Sequence, residues 1–209
     1  MLASGSPRRR ELLSEAGFKF EVVAPDVAEL SGPALTACEL TQCNAMRKGR
    51  ALRSARDVVL AADTVVAIDD RVLGKPADMR AARQYLRQLS GRTHQVYSSI
   101  FVADPIRERI RSELSHVTFR TLSDNDITAY FGKVNPLDKA GAYAAQGHGV
   151  EIIERIDGSY TNVVGLPMER TIELLREFGI VSAFRPVPVP QFEPRDGAPA
   201  SAHGKGTRR

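Results

Sequence analysis

The spacing of apolar and polar positions changes several times along the 209-residue chain, and each change marks an element. Ser6-Pro7-Arg8 through Gly17 places a capping serine and a proline at the first helical position ahead of a glycine stop, which predicts a short helix. Phe18 to Ala24 alternates as a strand does, and Ala34 to Ala55 has helical composition without a breaker until its ends. Val58 to Ile68 is a β-rich run that turns at Asp69-Asp70, and Asp78 caps a helix from Met79 to Leu89 that Ser90-Gly91 ends. Gln95 to Asp104 and Ile110 to Leu122 are predicted as paired strands joined through Asp104-Pro105. A helix follows from Ser123 to about Gly132, then a strand from Val150 to Arg155 and a last helix from Pro167 to Phe178, stopped by Gly179. Strands and helices are interspersed and some strands join directly, so the predicted class is α/β with a mixed sheet. No internal repeat is present.

Composition narrows the class without changing it. At 43% hydrophobic and 26% charged residues the chain is near the globular average, and its length suits one ordinary domain with a real core. The longest apolar stretches fall far short of the ~20 residues of a membrane-spanning helix. Three arginines by position 10 leave no room for a signal core, so a cytoplasmic protein is expected. The formal charge of +4 invites a nucleic-acid reading, but it sits mostly at one end: 182–209 holds five basic residues against Glu193 and Asp196, leaving 24 basic and 23 acidic residues in 1–181. The same stretch holds five of the 12 prolines and few large apolar groups, so 1–181 is read as the folded domain and 182–209 as a disordered, weakly basic tail. Cys38 and Cys43 are five apart on a predicted helix and share no face, and the four histidines are scattered, which argues against a disulfide or a zinc site.

Four segments carry candidate chemistry. Ser4-Gly5-Ser6-Pro7-Arg8-Arg9-Arg10 runs into a helix start, where free N–H groups, the Ser4 and Ser6 hydroxyls and the Arg8 and Arg9 guanidinium forks form a phosphate cradle. A capped surface helix with solvated arginines is the alternative, although cations at a helix N-terminus oppose its dipole at ~0.3–1 kcal/mol each and an anion would relieve that cost. Asp63 interrupts the apolar run Leu60 to Val66, making it a candidate metal ligand or general base, unless it is a strand-end carboxylate open to water. Glu29 could be a second carboxylate for the same ion, and is otherwise an ordinary loop residue. Lys48 and Lys75 are individually unremarkable but together could offset a triphosphate; Gly74-Lys75 lacks the surroundings of a P-loop. In Asp138 to Gly147, small residues let backbone approach a flat ligand, and Gln146 offers a donor and an acceptor side by side that match the imide edge of uracil or thymine. As structure alone, that segment is a tight turn bracketed by glycines.

In this order the segments resemble the Maf family of nucleoside triphosphate pyrophosphatases, from Leu2 to about Ile180. The motifs that carry the resemblance are Ala3-Ser4-Gly5-Ser6-Pro7-Arg8-Arg9, Ala62-Asp63-Thr64-Val65-Val66, Leu73-Gly74-Lys75-Pro76, Leu89-Ser90-Gly91-Arg92-Thr93-His94, Asp138 to Gly147, and Val164-Gly165-Leu166-Pro167. The resemblance implies an elongated mixed sheet flanked by helices around a central cleft, similar to the inosine-triphosphatase group, usually as a homodimer. It also implies hydrolysis between the α and β phosphates with a divalent cation, Mg²⁺ or Mn²⁺. Gln146 places the chain with the branch that prefers dTTP and UTP, including modified uridine triphosphates, and apart from the branch acting on 7-methyl-GTP. Carried over by motif, Asp63 is the catalytic acceptor, Arg8, Thr64 and Gln146 set specificity, and Glu29, Lys48 and Lys75 complete the metal and phosphate site. The chain departs from the pattern where Gly49 stands in place of a usual alanine, where Asn44-Ala45 replaces a more apolar pair, and at Met1, which falls where the first strand should be under way. Two rival readings exist: a non-catalytic nucleotide sensor acting in cell division control, and a nucleic-acid binder resting on the charge of the tail. No nucleic-acid or membrane partner is expected.

Overall fold

A computed structural model describes residues 1–32, 34–182 and 190–192. The expectation of a disordered tail over 182–209 falls almost wholly outside these residues. Strand β1 is Leu2–Ala3, and helix α1, Pro7–Glu15, follows with Pro7 in its first turn. Helix α2, Ala37–Ala51, starts three residues later and ends four earlier than its composition predicts. Thr36 sets its start through a capping box with Glu39: the Thr36 hydroxyl accepts from the Glu39 N–H at 3.2 Å and the Glu39 carboxylate accepts from the Thr36 N–H at 2.9 Å. Strands β2 (Val59–Ile68) and β3 (Arg71–Leu73) form a hairpin whose two turn residues, Asp69 and Asp70, both have positive φ. Helix α3 (Met79–Leu89), capped by Asp78, leads to the long antiparallel pair β4 (Thr93–Ala103) and β5 (Glu108–Phe119). Helix α4 (Asp124–Phe131), strand β6 (Ile153–Asp157), and helices α5 (Tyr160–Val164) and α6 (Met168–Glu177) complete the chain.

The six strands form one mixed sheet in the order β1-β2-β4-β5-β6, with β3 attached to β2. Only β1 and β2 run parallel; the other pairs are antiparallel. One edge of β2 is paired with β4 continuously from Val59 to Ala67. Its other edge is shared: β1 takes Leu60 and Ala61, β3 takes Val66 to Ile68, and the stretch between them has no strand beside it. That gap is where the cleft opens.

The residues of β2 alternate between two packed faces. Leu60, Ala62, Val66 and Ile68 face the larger core with α1, α3 and α6, whereas Val59 and Ala61 face α2 together with Phe101. Gly49 allows that second contact: a Cβ there would lie 2.2 Å from the Phe101 ring, so α2 approaches β4 by backbone.

Two sequence expectations need correction, and one element is new. Phe18 to Ala24 is not a strand; it makes one parallel bridge, Val22 to Leu2, because two-residue β1 offers nothing longer to pair with. Its alternation still has meaning, since Phe18 and Phe20 pack against the core. The sixth strand lies at Ile153–Asp157, not 150–155, because Gly147–Glu151 is a short 3₁₀ turn. Helix α5 was not foreseen: five residues are too few for a helical period to register.

Candidate active site

The cleft beside β2 is a cavity of about 1070 Å³. Ser4, Ser6, Arg8, Arg9, Glu29, Lys48, Asp63, Thr64 and Lys75 all line it. Asp63 and Thr64 are neighbours and so project to opposite faces of the sheet; both reach the cavity because it wraps around the unpaired edge of β2. Gln146 is the exception among the expected site residues. Half-buried, it follows the lining Ala144 and Ala145 without joining them.

On the α2 side, the Lys48 ammonium lies 2.6 Å from Asp63 Oδ1 and 2.6 Å from Glu29 Oε1. Asp63 is buried and Lys48 nearly so, whereas Glu29 is half exposed at the rim. Burial alone would raise the Glu29 pKa, but the hydrogen bond and charge of Lys48, with Lys75 and Arg9 behind, hold it below the usual carboxylate range. Asn44 completes this corner by donating to Asp63 Oδ2 at 3.3 Å.

On the other side, Arg9 is buried beneath the start of α1. Its Nε donates to the Gly165 carbonyl (2.8 Å), Nη1 to the Ala62 carbonyl (2.9 Å) and the Ser4 hydroxyl (3.2 Å), and Nη2 to the Thr64 hydroxyl (3.1 Å). Four of its five N–H groups are thereby used. Among the described residues no carboxylate pairs with it. Burial pulls its pKa below the ordinary value, opposed by the Asp63 charge, so it brings an un-neutralised cation to the cleft floor. The Ala62 carbonyl is free to accept because no strand covers that edge. Gly165 has φ of 124°, a conformation that only glycine adopts without strain. Thr64 Oγ1 also contacts Ser98 Oγ at 2.8 Å and the Gly165 carbonyl at 3.2 Å, so its hydroxyl is fixed within the protein.

At the mouth, no acidic residue occupies the first turn of α1 and the Ser6 side chain makes no capping bond, which leaves that turn available to an anion. Arg8 reaches across to Asp138 at 3.8 Å, and Lys139 holds the other Asp138 oxygen at 2.6 Å. The loop carrying Asp138 is seated on β2: Gly141, at φ 68°, lies so close to Val66 that a Cβ would come within 2.9 Å of it. Tyr143 anchors the same loop through a 2.8 Å hydrogen bond between its hydroxyl and His94 Nε2, inside an edge-to-face trio with Phe119. Burial pushes the His94 pKa down to about 3, so the imidazole is neutral.

Sequence reasoning did not single out Asn44 as a site residue; it marked the segment Asp138 to Gly147, but for its small residues and Gln146, whereas the side chains of Asp138, Lys139 and Tyr143 also reach the cavity wall. Asn44 had a visible signal, an amide among small and apolar residues (Leu40, Ala45, Gly49) on the face of α2 that packs toward the sheet. Six cationic side chains line the cavity against four carboxylates, a surplus that suits a polyanion. Glu29 and Asp63 are the pair whose hard oxygens fit a Mg²⁺- or Mn²⁺-like ion. Among the described residues no cluster of three or more His, Cys, Asp or Glu could cage a metal alone, so such an ion would draw further ligands from phosphate oxygens and water.

A dTTP/UTP pyrophosphatase of Deinococcus radiodurans is 47% identical over 187 residues, covering 88% of this chain and 94% of its own. Proteins of the same name from Symbiobacterium thermophilum and Bacillus pumilus are 44% and 43% identical, each covering 86% of this chain and 93% and 96% of their own. The solved structure of the Staphylococcus aureus Ham1 protein is similar at a TM-score of 0.44 and 16% identity, covering 85% of this chain and 95% of its own. The family described as Maf-like protein matches residues 1–178. With that match spanning all the elements of the cleft, the chain belongs to the Maf family.

Proposed function

We infer that this chain is a nucleoside triphosphate pyrophosphatase that hydrolyses dTTP and UTP to the nucleoside monophosphate and pyrophosphate. The observation that carries the reading is the convergence, at the open edge of β2, of a carboxylate pair and a buried uncompensated cation within one nucleotide-sized cavity. The three relatives above, named dTTP/UTP pyrophosphatases, support the choice of substrate.

The triphosphate enters with its anionic chain toward the start of α1, where free N–H groups, Ser4, Ser6 and Arg8 meet the phosphates. Arg9, fixed by protein oxygens, supplies positive charge that needs no rearrangement as the reaction proceeds. Lys75 stands exposed at the rim, placed to meet the departing pyrophosphate. Glu29 and Asp63 would hold the divalent cation, which offsets charge on the phosphates. A water attacks the α phosphorus, its proton passes to Asp63, the bond to the α–β bridging oxygen breaks, and the electron pair leaves with pyrophosphate. Asp63 can do this while bonded to Lys48 and Asn44, because its two oxygens together have about four lone-pair sites and those contacts occupy two. Arg8, Thr64 and Gln146 are assigned nucleotide selection, and the enzyme is taken to work as a cytoplasmic homodimer, its assembly to be read by sedimentation.

Incubation with UTP and Mn²⁺ is expected to yield UMP and pyrophosphate; UTP returned intact would favour the nucleotide-sensor reading. Replacing Asp63→Asn is expected to lower turnover about 10²–10⁴-fold without loss of fold. Near-wild-type pyrophosphate release from that variant rejects the assignment.

A further inference from the structure

Asn44 sits in the middle of α2, buried and facing the sheet. Its carbonyl oxygen accepts from the Leu30 N–H at 2.7 Å, and its amide nitrogen donates to the Leu30 carbonyl at 3.2 Å. The same nitrogen donates its second hydrogen to Asp63 Oδ2 at 3.3 Å. The orientation of the amide is fixed by these partners: turned over, its oxygen would face two acceptors and its nitrogen a donor.

One side chain therefore grips both halves of the carboxylate pair by different means. It fixes Asp63 directly, on the oxygen that Lys48 does not use. It fixes Glu29 through the backbone of the next residue, in the manner of a paired strand. Residues 23–30 lie outside every helix and strand, and near Glu29 the other anchors are side chains of the same helix: Lys48 on Glu29 itself at 2.6 Å and Arg47, which donates to the Ala28 carbonyl at 3.3 Å. Lys48, one helical turn further along α2, then meets both carboxylates from the same face.

We propose that Asn44 is a positioning residue for this reaction: it sets the Glu29 loop against Asp63 so that both carboxylates converge on one cation site. The proposal rests on the pyrophosphatase reading and deepens it. Two consequences separate this role from mere packing. Leucine has nearly the same size and is at home in a buried helix position, so Asn44→Leu keeps the contact surface of α2 while removing all three hydrogen bonds. The freed Leu30 groups are near solvent and can be hydrated, so the loop loosens and the fold survives.

The test compares the full-length wild type with Asn44→Leu, and with Asn44→Ala should the leucine variant fold poorly. Thermal melting, kcat and KM for dTTP, and Mn²⁺ affinity by electron paramagnetic resonance in the presence of the non-hydrolysable analogue α,β-imido-dTTP are measured. Loss of a partner that orients metal-holding groups typically costs about 10–100-fold. The expected result is a fall of that size in kcat and in Mn²⁺ affinity per folded molecule, with KM nearly unchanged and melting lowered only by the few degrees that losing a bond to the buried Asp63 entails. A folded variant with wild-type kcat and Mn²⁺ affinity overturns the proposal. So does a fall in melting temperature with turnover per folded molecule preserved, the signature of packing alone. A wild type that releases no pyrophosphate defeats the functional reading instead, and the Mn²⁺ titration still decides the role of Asn44.

Discussion

Arg9 and Asp63 are the two charges most deeply committed to the cleft, and they are stabilised in opposite ways. Asp63 is matched by a cation, whereas Arg9 is matched by neutral oxygens from three separate segments. Hydrogen bonds to a charged group are worth about 1.5–3 kcal/mol each, enough together to offset part of the cost of burying a guanidinium. The sequence made both residues candidates, because a charge inside an apolar run or at the wrong end of a helix demands a reason. It could not distribute the work between Arg8 and Arg9. Adjacent helical residues point about 100° apart, and only the packed structure decides which one turns inward. His94 was legible as a motif residue but not as the support of Tyr143, a contact across 49 residues. Its burial predicts a pH effect. The folded state refuses the proton that an unfolded histidine accepts, so this contribution to stability is complete above about pH 6.5 and is lost as pH falls toward about 3. The slope reaches about 1.4 kcal/mol per pH unit. Urea unfolding of His94→Phe across that range is expected to show a flatter dependence than wild type, with lower stability at neutral pH for want of the Tyr143 partner.

Elements with strong local signals were readable: the Asp78 and Ser123 caps, the Asp69-Asp70 turn and the pairing of β4 with β5 about Asp104-Pro105 all follow from short-range chemistry. The feature that makes the site was not. No property of Leu60 to Val66 announces that one edge of β2 is shared by two short strands with a gap between them, because that is decided by where distant segments dock. Helix α2 matters equally, since it carries both Asn44 and Lys48. Its distance from the sheet depends on Gly49, whose hydrogen is all that fits against Phe101. Gly49→Ala adds helix propensity worth about 1 kcal/mol, but forcing a methyl against a buried ring costs about 1–3 kcal/mol. Denaturant titration is expected to show net destabilisation, with pyrophosphate release impaired as α2 lifts. Adding Phe101→Leu should recover much of both, by making room for the methyl. A single variant as stable as wild type would show that the ring moves aside freely.

For the molecule as a whole, the formal charge of +4 lies mostly in 182–209, whereas around the cleft six cations face four carboxylates. No helix among the described residues is long and apolar enough to cross a membrane. At the cleft floor Lys48 already bridges Glu29 and Asp63 and offsets their mutual repulsion, while Arg9 is held by neutral oxygens alone. Chelation with EDTA is therefore expected to abolish pyrophosphate release while leaving the melting temperature unchanged, and differential scanning calorimetry with and without chelator checks it. A marked fall in melting temperature would mean that the carboxylate pair depends on a bound ion for its shape. The Lys48 ammonium, lodged between two acids, offsets their repulsion with the chain's own charge. On the proposed reading, protein prepared without divalent cation should survive purification and storage with the pocket already in working order, and the first turnover after Mn²⁺ is added should show no lag for refolding.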